Sequence, residues 1–96
     1  MTFRLTSAAE TDLIQLYLFG RERFGFQQAE AYYADLNRAF GLLAEYPAMG
    51  RLRKELNPPM HTHPFRSHII FYQVEAQGLL IVRVRHASED WNEFDL

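Results

Sequence analysis

The sequence contains no cysteine. This absence excludes a disulfide framework, a thiolate nucleophile and a zinc site with cysteine ligands, and it is compatible with a reducing compartment. Long hydrophobic runs are also missing, and the N-terminal residues MTFRLTSAAETDL lack a basic segment followed by an apolar one. Since a bilayer-spanning helix needs about 20 apolar residues, we predict neither a transmembrane segment nor a secretory leader. We therefore expect a cytoplasmic protein.

An overall excess of positive charge is missing too, because the formal net charge is −2. Nucleic-acid-binding domains are usually basic overall, since neutralisation of phosphates supplies most of their affinity. The charge is nevertheless uneven. Residues 51–86 contain six Lys or Arg, two Glu and all four histidines, whereas residues 87–96 contain four carboxylate side chains and no base. We expect a basic patch that would suit an anionic polypeptide as well as RNA.

The chain has enough apolar residues to form one hydrophobic core. Its 96 residues are 48% hydrophobic and 23% charged, which excludes disorder caused by low hydrophobicity and high charge. A chain of this length supports one core and not two. We predict a single domain that spans residues 1–96.

Two helices are predicted in the N-terminal half. Ser7 and Glu10 have the spacing of a capping box, and apolar residues at three- and four-residue steps then indicate a helix over about 8–24. Gly25 suits the left-handed conformation that ends helices. A second periodic run continues until Pro47. Helices joined this closely form an antiparallel hairpin.

Strands are predicted at the N-terminus and in the C-terminal half. Residues 2–5 suit a short edge strand, while residues 47–59 hold three of the four prolines and indicate a loop. Three further extended runs predict strands: Met60–Phe65, His68–Val74 and Leu79–Arg85. The last two are rich in β-branched and aromatic residues, and the EAQG connection makes them antiparallel neighbours. The predicted fold class is α+β, of order β-α-α-β-β-β, with a two-helix hairpin packed on a small, mainly antiparallel sheet.

The second face of this sheet needs a cover. Residues 68–74 and 79–85 are apolar on both faces, so we expect the C-terminal tail or another polypeptide to lie on the face opposite the helices. Ser88 followed by two carboxylates suits a helix N-terminus. We predict a short helical tail whose Trp91 and Phe94 anchor it to the body or to a partner.

The basic patch also contains residue types that can cleave RNA. Cleavage needs a base for the 2′-hydroxyl proton and cations for the developing phosphorane, and imidazole and guanidinium suit these roles. The candidates are His86, Arg83, Arg66 and Tyr72, with Arg85 and Lys54 nearby. Alternatively, the arginines pair with carboxylates and His86 only hydrogen-bonds in a turn. The acidic tail favours this alternative, since it would repel a polyphosphate.

A metal site is a further possibility at His61 and His63, which project from the same face of one strand, with His68 opposite. No acidic ligand stands at a matching position, and Pro64 interrupts the strand. We predict no metal and no cofactor.

Four segments in fixed order, RLTSAAETDL, PAMGRLRKEL, HIIFYQV and LIVRVRHASEDW, resemble the ParE toxins of the RelE/ParE superfamily of type II toxin–antitoxin systems. The resemblance covers nearly the whole chain. It implies a toxin that inhibits DNA gyrase by binding, as part of a plasmid-stabilisation system. It also implies a hetero-oligomer with a ParD-like antitoxin, which combines a ribbon-helix-helix DNA-binding end with a toxin-binding tail that is often acidic.

Under this resemblance the basic patch becomes a docking surface. The residues expected to bind the antitoxin are Arg51, Arg53, Phe65, Arg66, Tyr72 and Arg83. Those expected to bind the target are Arg85, His86 and Trp91. Two alternatives stay open: a ribosome-dependent mRNA endoribonuclease like RelE, and an inactive remnant that still binds an antitoxin. RelE-like relatives use a terminal tyrosine or histidine, and the last residues here, NEFDL, have neither.

Overall fold

The computed structural model describes residues 2–89, which form two helices and five strands. The predicted α+β order is confirmed, with one strand more than expected. The elements are β1 (Thr2–Leu5), α1 (Ser7–Phe24), α2 (Phe26–Glu45), a 3₁₀ turn (Pro47–Met49), β2 (Arg51–Arg53), β3 (Met60–Phe65), β4 (His68–Glu75) and β5 (Gly78–His86). The predicted helical tail and its Trp91 and Phe94 lie outside the described residues.

The five strands form one sheet in the order β1-β5-β4-β3-β2. β1 runs parallel to β5, and the other three pairings are antiparallel. β1 therefore lies at one edge, as predicted, and β4 and β5 form the predicted hairpin. β3 has the predicted bounds, whereas β4 and β5 extend beyond theirs by one or two residues.

The start of α1 corrects the predicted capping box. Thr6, not Ser7, is the N-cap, because its hydroxyl accepts from the Ala9 backbone N–H at 3.0 Å. The same hydroxyl donates to the Val82 carbonyl at 2.7 Å, so the cap also fastens the helix to β5. At the other end, Gly25 has φ 93° and joins α1 directly to α2, which forms the predicted helix hairpin.

The segment predicted as a loop over residues 47–59 contains β2, the one strand that was not predicted. Arg51–Arg53 pairs antiparallel with β3 and extends the sheet by three residues. So short a strand, placed between a proline and a run of charge, has no periodic signal. Its pairing depends on the longer β3 beside it.

The main core lies between the helix hairpin and one face of the sheet. Leu36, Phe40 and Leu43 of α2 are fully buried against Ile70 and Ile81 of the sheet. The hairpin therefore covers the inner face of the sheet.

Neither helix among the described residues is long and apolar enough to span a bilayer.

The opposite face is covered in part by the chain itself. Leu56, from the connection between β2 and β3, packs on Met60 and Phe71, with Ile69 and Val82 at the margin. From the sequence, the tail or a partner is expected in this place. A segment containing an Asn57–Pro58 cis peptide instead supplies part of the cover.

Candidate functional site

A row of side chains crosses the sheet face opposite the helices, which the chain covers only in part, and this row carries the basic patch. Arg51 pairs with Thr62, Thr62 with Phe71, and Phe71 with Arg83. Directly paired residues share a sheet face, and Phe71 packs in the cluster opposite the helices. Arg53 and Arg85 face the same way, because their partners are Met60 and Ile69. We call Arg51, Arg53, Arg83 and Arg85 the basic face.

A buried carboxylate on α1 holds two of these arginines. Asp12 is 6% exposed, and its carboxylate accepts two hydrogen bonds from Arg83, at 2.8 and 3.0 Å, and one from Arg85 at 3.0 Å. It also accepts the Val84 backbone N–H at 3.0 Å. The pairing of β1 with β5 ends at Ile81, so Asp12 takes the place of a strand at the open edge of β5. The two arginines wrap round that edge.

The four arginines therefore differ in the charge that they can offer to a partner. Asp12 and Glu89 neutralise Arg83 and Arg85, and Glu55 lies 3.3 Å from Arg53. Arg51 and the nearby Lys54 are both exposed, and neither makes a salt bridge within residues 2–89. The outward positive charge of the basic face comes mainly from the β2 end.

A groove opens on the other side of β5, between the helix hairpin and the ends of β4 and β5. Its volume is about 540 Å³, within the range of small ligand pockets. Apolar atoms make up most of its lining surface, although many of the lining residues are polar or charged. We call this space the groove. The lining residues that matter below are Phe19, Phe24, Gln28, Tyr32, His68 and His86.

Inside the groove, Tyr32 and His68 form a hydrogen bond of 2.7 Å. Burial, with a smaller contribution from the charge of His86, lowers the pKa of His68 to about 4. The imidazole is therefore neutral at pH 7 and contributes an uncharged wall.

The comparisons with known proteins agree with one another. Residues 3–91 match the family model described as the ParE toxin of the type II toxin–antitoxin system parDE. The chain belongs to the ParE toxin family. It is 31% identical to Toxin ParE1 of Caulobacter vibrioides, over 90% of this chain and 88% of that protein. It is 33% identical to Toxin ParE1 of Mycobacterium tuberculosis H37Rv, over 92% of this chain and 91% of that protein.

The fold of this ParE family member also occurs in a solved structure. The chain matches a protein from a structure titled "Chromosomal ParDE TA system from P. aeruginosa", with a TM-score of 0.76 and 19% identity, over 90% of this chain and 95% of that chain. At this identity the match supports the shared fold. The family and fold that the sequence resemblance implied are thus confirmed.

The structure brings together only part of the residue sets predicted from the sequence. Arg51, Arg53 and Arg83 share the basic face. Phe65 and Tyr72 lie on the helix side of the sheet, and Tyr72 is fully buried. Arg66, from the β3–β4 turn, donates to Asp35 of α2 at 2.8 Å. Arg85 and His86 line the groove, and Trp91 is outside the described residues.

Two features of the site were not predicted from the sequence. Asp12 stands beside the buried Ala9 and Leu13 on α1, and a charge within an apolar stripe indicates a buried partner, so this signal was available. The contact between Tyr32 and His68 had no such signal, because 36 residues separate them. Among residues 2–89, the histidines considered as a possible metal site, His61, His63 and His68, do not form a group that could hold a metal ion, and His61 stacks on the Tyr72 ring.

Proposed function

We propose that this chain is a toxin that binds and inhibits DNA gyrase and is kept inactive by a ParD-like antitoxin in a hetero-oligomer. Membership of the ParE family supports the toxin role, and the family resemblance supplies the expected target. The observation that carries a binding function is the row of arginines on a sheet face that the chain covers only in part. Such a face suits an acidic polypeptide.

The positions of the candidate nuclease residues favour binding over RNA cleavage. The Tyr72 hydroxyl lies inside the fold, donates to the Pro47 carbonyl at 2.6 Å and accepts from the Gly50 N–H at 2.9 Å. Arg83 is held by Asp12. Arg66 lies near α2, and His86 lies at the exposed end of β5. A general base must reach the proton that it removes, and these four side chains do not converge on one point.

For the antitoxin we propose the basic face, with its strongest charged contacts at Arg51 and Lys54. An acidic toxin-binding tail would lie across the row and cover the margin of the apolar cluster at Ile69 and Val82. Charge complementarity of this kind increases the association rate and selects the partner. Arg83 and Arg85 contribute less, because each is already paired with a carboxylate.

The test is a gyrase supercoiling assay with relaxed plasmid and purified protein, with and without the antitoxin encoded beside it. We expect inhibition that the antitoxin relieves. A parallel reaction with ribosomes and messenger RNA tests cleavage. Cleavage that is lost in His86→Ala, with no effect on gyrase, would replace this proposal with the RelE-like one. No effect in either reaction from folded protein would indicate an inactive remnant.

A further inference from the structure

The groove between the helix hairpin and the strand ends shares only Arg85 with the basic face. It lies on the helix side of the sheet, and Arg85, His86 and Glu89 form its wall at the end of β5. Phe19 and Phe24 at its mouth remain 57% and 60% exposed. Apolar rings exposed around a concave space mark an interaction site more often than isolated surface residues do.

The interior of the groove suits an apolar side chain and not a phosphate. His68 carries no charge at neutral pH, and the carboxylates of Asp12 and Glu89 are part of the lining. Phosphate recognition needs an excess of cations at the contact. A large aliphatic or aromatic side chain matches both the volume and the lining.

Two exposed arginines of α1 lie beside the groove. The guanidinium of Arg23 lies 5.3 Å from the centre of the Phe19 ring, which lines the groove. That of Arg21 lies 5.5 Å from the centre of the Phe26 ring, which does not line it. Stacking on a ring leaves the N–H edges of a guanidinium available to carboxylates. In a symmetric contact between two copies the same patch meets itself, which would bring these arginines towards one another. The charge therefore favours a different, acidic protein.

We propose that the groove is the surface by which the toxin engages its target, and that it takes a target segment with one large apolar side chain flanked by carboxylates. This inference rests on the proposed toxin function and goes beyond it, because it places the target surface and the antitoxin surface on opposite sides of the sheet, with Arg85 alone common to both. The proposed target surface includes Arg85 and His86, which the family resemblance led us to expect at the target. It also includes residues of the helix hairpin that the sequence did not indicate.

Two adjacent glutamines at the start of α2 allow a matched test. Gln28 lines the groove and Gln27 does not, and both are exposed. Gln28→Trp fills the groove, whereas Gln27→Trp makes the same chemical change outside it. For each full-length variant we would measure growth arrest on induction, inhibition of gyrase supercoiling and antitoxin affinity, after circular dichroism has verified the fold.

We expect Gln28→Trp to lose toxicity by about 30-fold or more, as when a central anchor is blocked, with antitoxin affinity within about threefold of the original. Gln27→Trp should behave as the unmodified chain. The inference would be overturned if Gln28→Trp kept full toxicity, or if its antitoxin affinity fell by as large a factor as its toxicity. If Gln28→Trp does not fold, Phe24→Ser carries the same test at the exposed mouth.

The growth readout keeps the two proposals distinguishable. If the unmodified chain arrests growth without affecting gyrase, the gyrase proposal fails, and the groove is still judged by whether Gln28→Trp restores growth. If the unmodified chain inhibits gyrase and Gln28→Trp inhibits equally, only the groove inference fails. A chain that neither arrests growth nor inhibits gyrase would overturn both.

Discussion

At the scale of single residues, one carboxylate links the helix layer to the sheet. Asp12 satisfies a backbone N–H at the open edge of β5 and neutralises two arginines from the far face. A backbone donor or a charge left unpaired in a buried place is costly. Asp12 therefore has a structural role that also fixes the positions of Arg83 and Arg85.

We expect Asp12→Asn to lower the free energy of unfolding by about 2–4 kcal/mol. The amide has nearly the shape of the carboxylate but carries no charge, and one of its two oxygen acceptors is replaced by a donor. Urea unfolding monitored by circular dichroism measures the change. Asp35→Asn is the control, because its partners Arg66 and Arg38 are mostly exposed and such pairs contribute about 0–1 kcal/mol. Equal effects of the two variants would show that Asp12 contributes no more to stability than Asp35 does with its exposed partners.

Gly50 and Tyr72 form a second close contact. A Cβ on Gly50 would lie 2.3 Å from the Tyr72 hydroxyl oxygen, and the φ of −81° at Gly50 suits any residue, so the restriction is steric. We expect Gly50→Ala to destabilise the fold by about 1–3 kcal/mol. Gly41, inside α2, has open space around it, so Gly41→Ala should stabilise by about 0.5–1 kcal/mol. Thermal unfolding of both variants tests the contrast, and a shift in the same direction for both would contradict it.

At the scale of elements, the sequence predicted the parts whose signals are local. Helix periodicity, Gly25 and the apolar runs of β4 and β5 each act within a few residues, so these elements were found. β2 was missed because its three residues form a strand only beside β3. The site was predicted less completely for the same reason. Arg51 and Arg83 fall in one row through pairings across four strands, and the sequence carries no direct record of those pairings.

The ends of β4 and β5 provide a test at this scale through His68, which pairs with His86 across the hairpin. Its pKa of about 4 in the folded protein lies below the ordinary 6.5. Between these values the unfolded chain binds a proton that the folded chain does not, so stability is present above pH 6.5 and decreases as the pH falls towards 4.

We expect a loss of about 1 kcal/mol in the free energy of unfolding between pH 7.5 and pH 5.5, after allowance for the partial exposure of His68. Urea titrations at the two pH values measure it. His68→Gln should remove most of this dependence. Burial lowers the pKa of His63 as well, so His63→Gln measures how much of the pH dependence comes from this second histidine. An unchanged dependence in His68→Gln would show that other groups dominate.

At the scale of the whole molecule, the net charge of −2 conceals opposed surfaces. The exposed charge of Arg51 and Lys54 lies at the β2 edge, and the end of β5 is neutralised by carboxylates. A protein with this distribution is oriented by its local field during encounter and not by its net charge. The antitoxin should therefore approach from the β2 edge.

This arrangement predicts how salt affects the encounter with the antitoxin. Between about 50 and 500 mM salt, the association rate should fall by about tenfold or more while the dissociation rate changes less, because screening acts on the approach of exposed charges. Stopped-flow mixing measures both rates. The double variant Arg51→Gln with Lys54→Gln should bind more slowly at low salt and show a weaker dependence on salt. Arg4→Gln removes an exposed cation at the opposite edge of the sheet and should leave the dependence largely intact. If association is insensitive to salt, or if Arg4→Gln has as large an effect as the double variant, the antitoxin does not approach through the basic face, because only a local charge at the β2 edge distinguishes these variants.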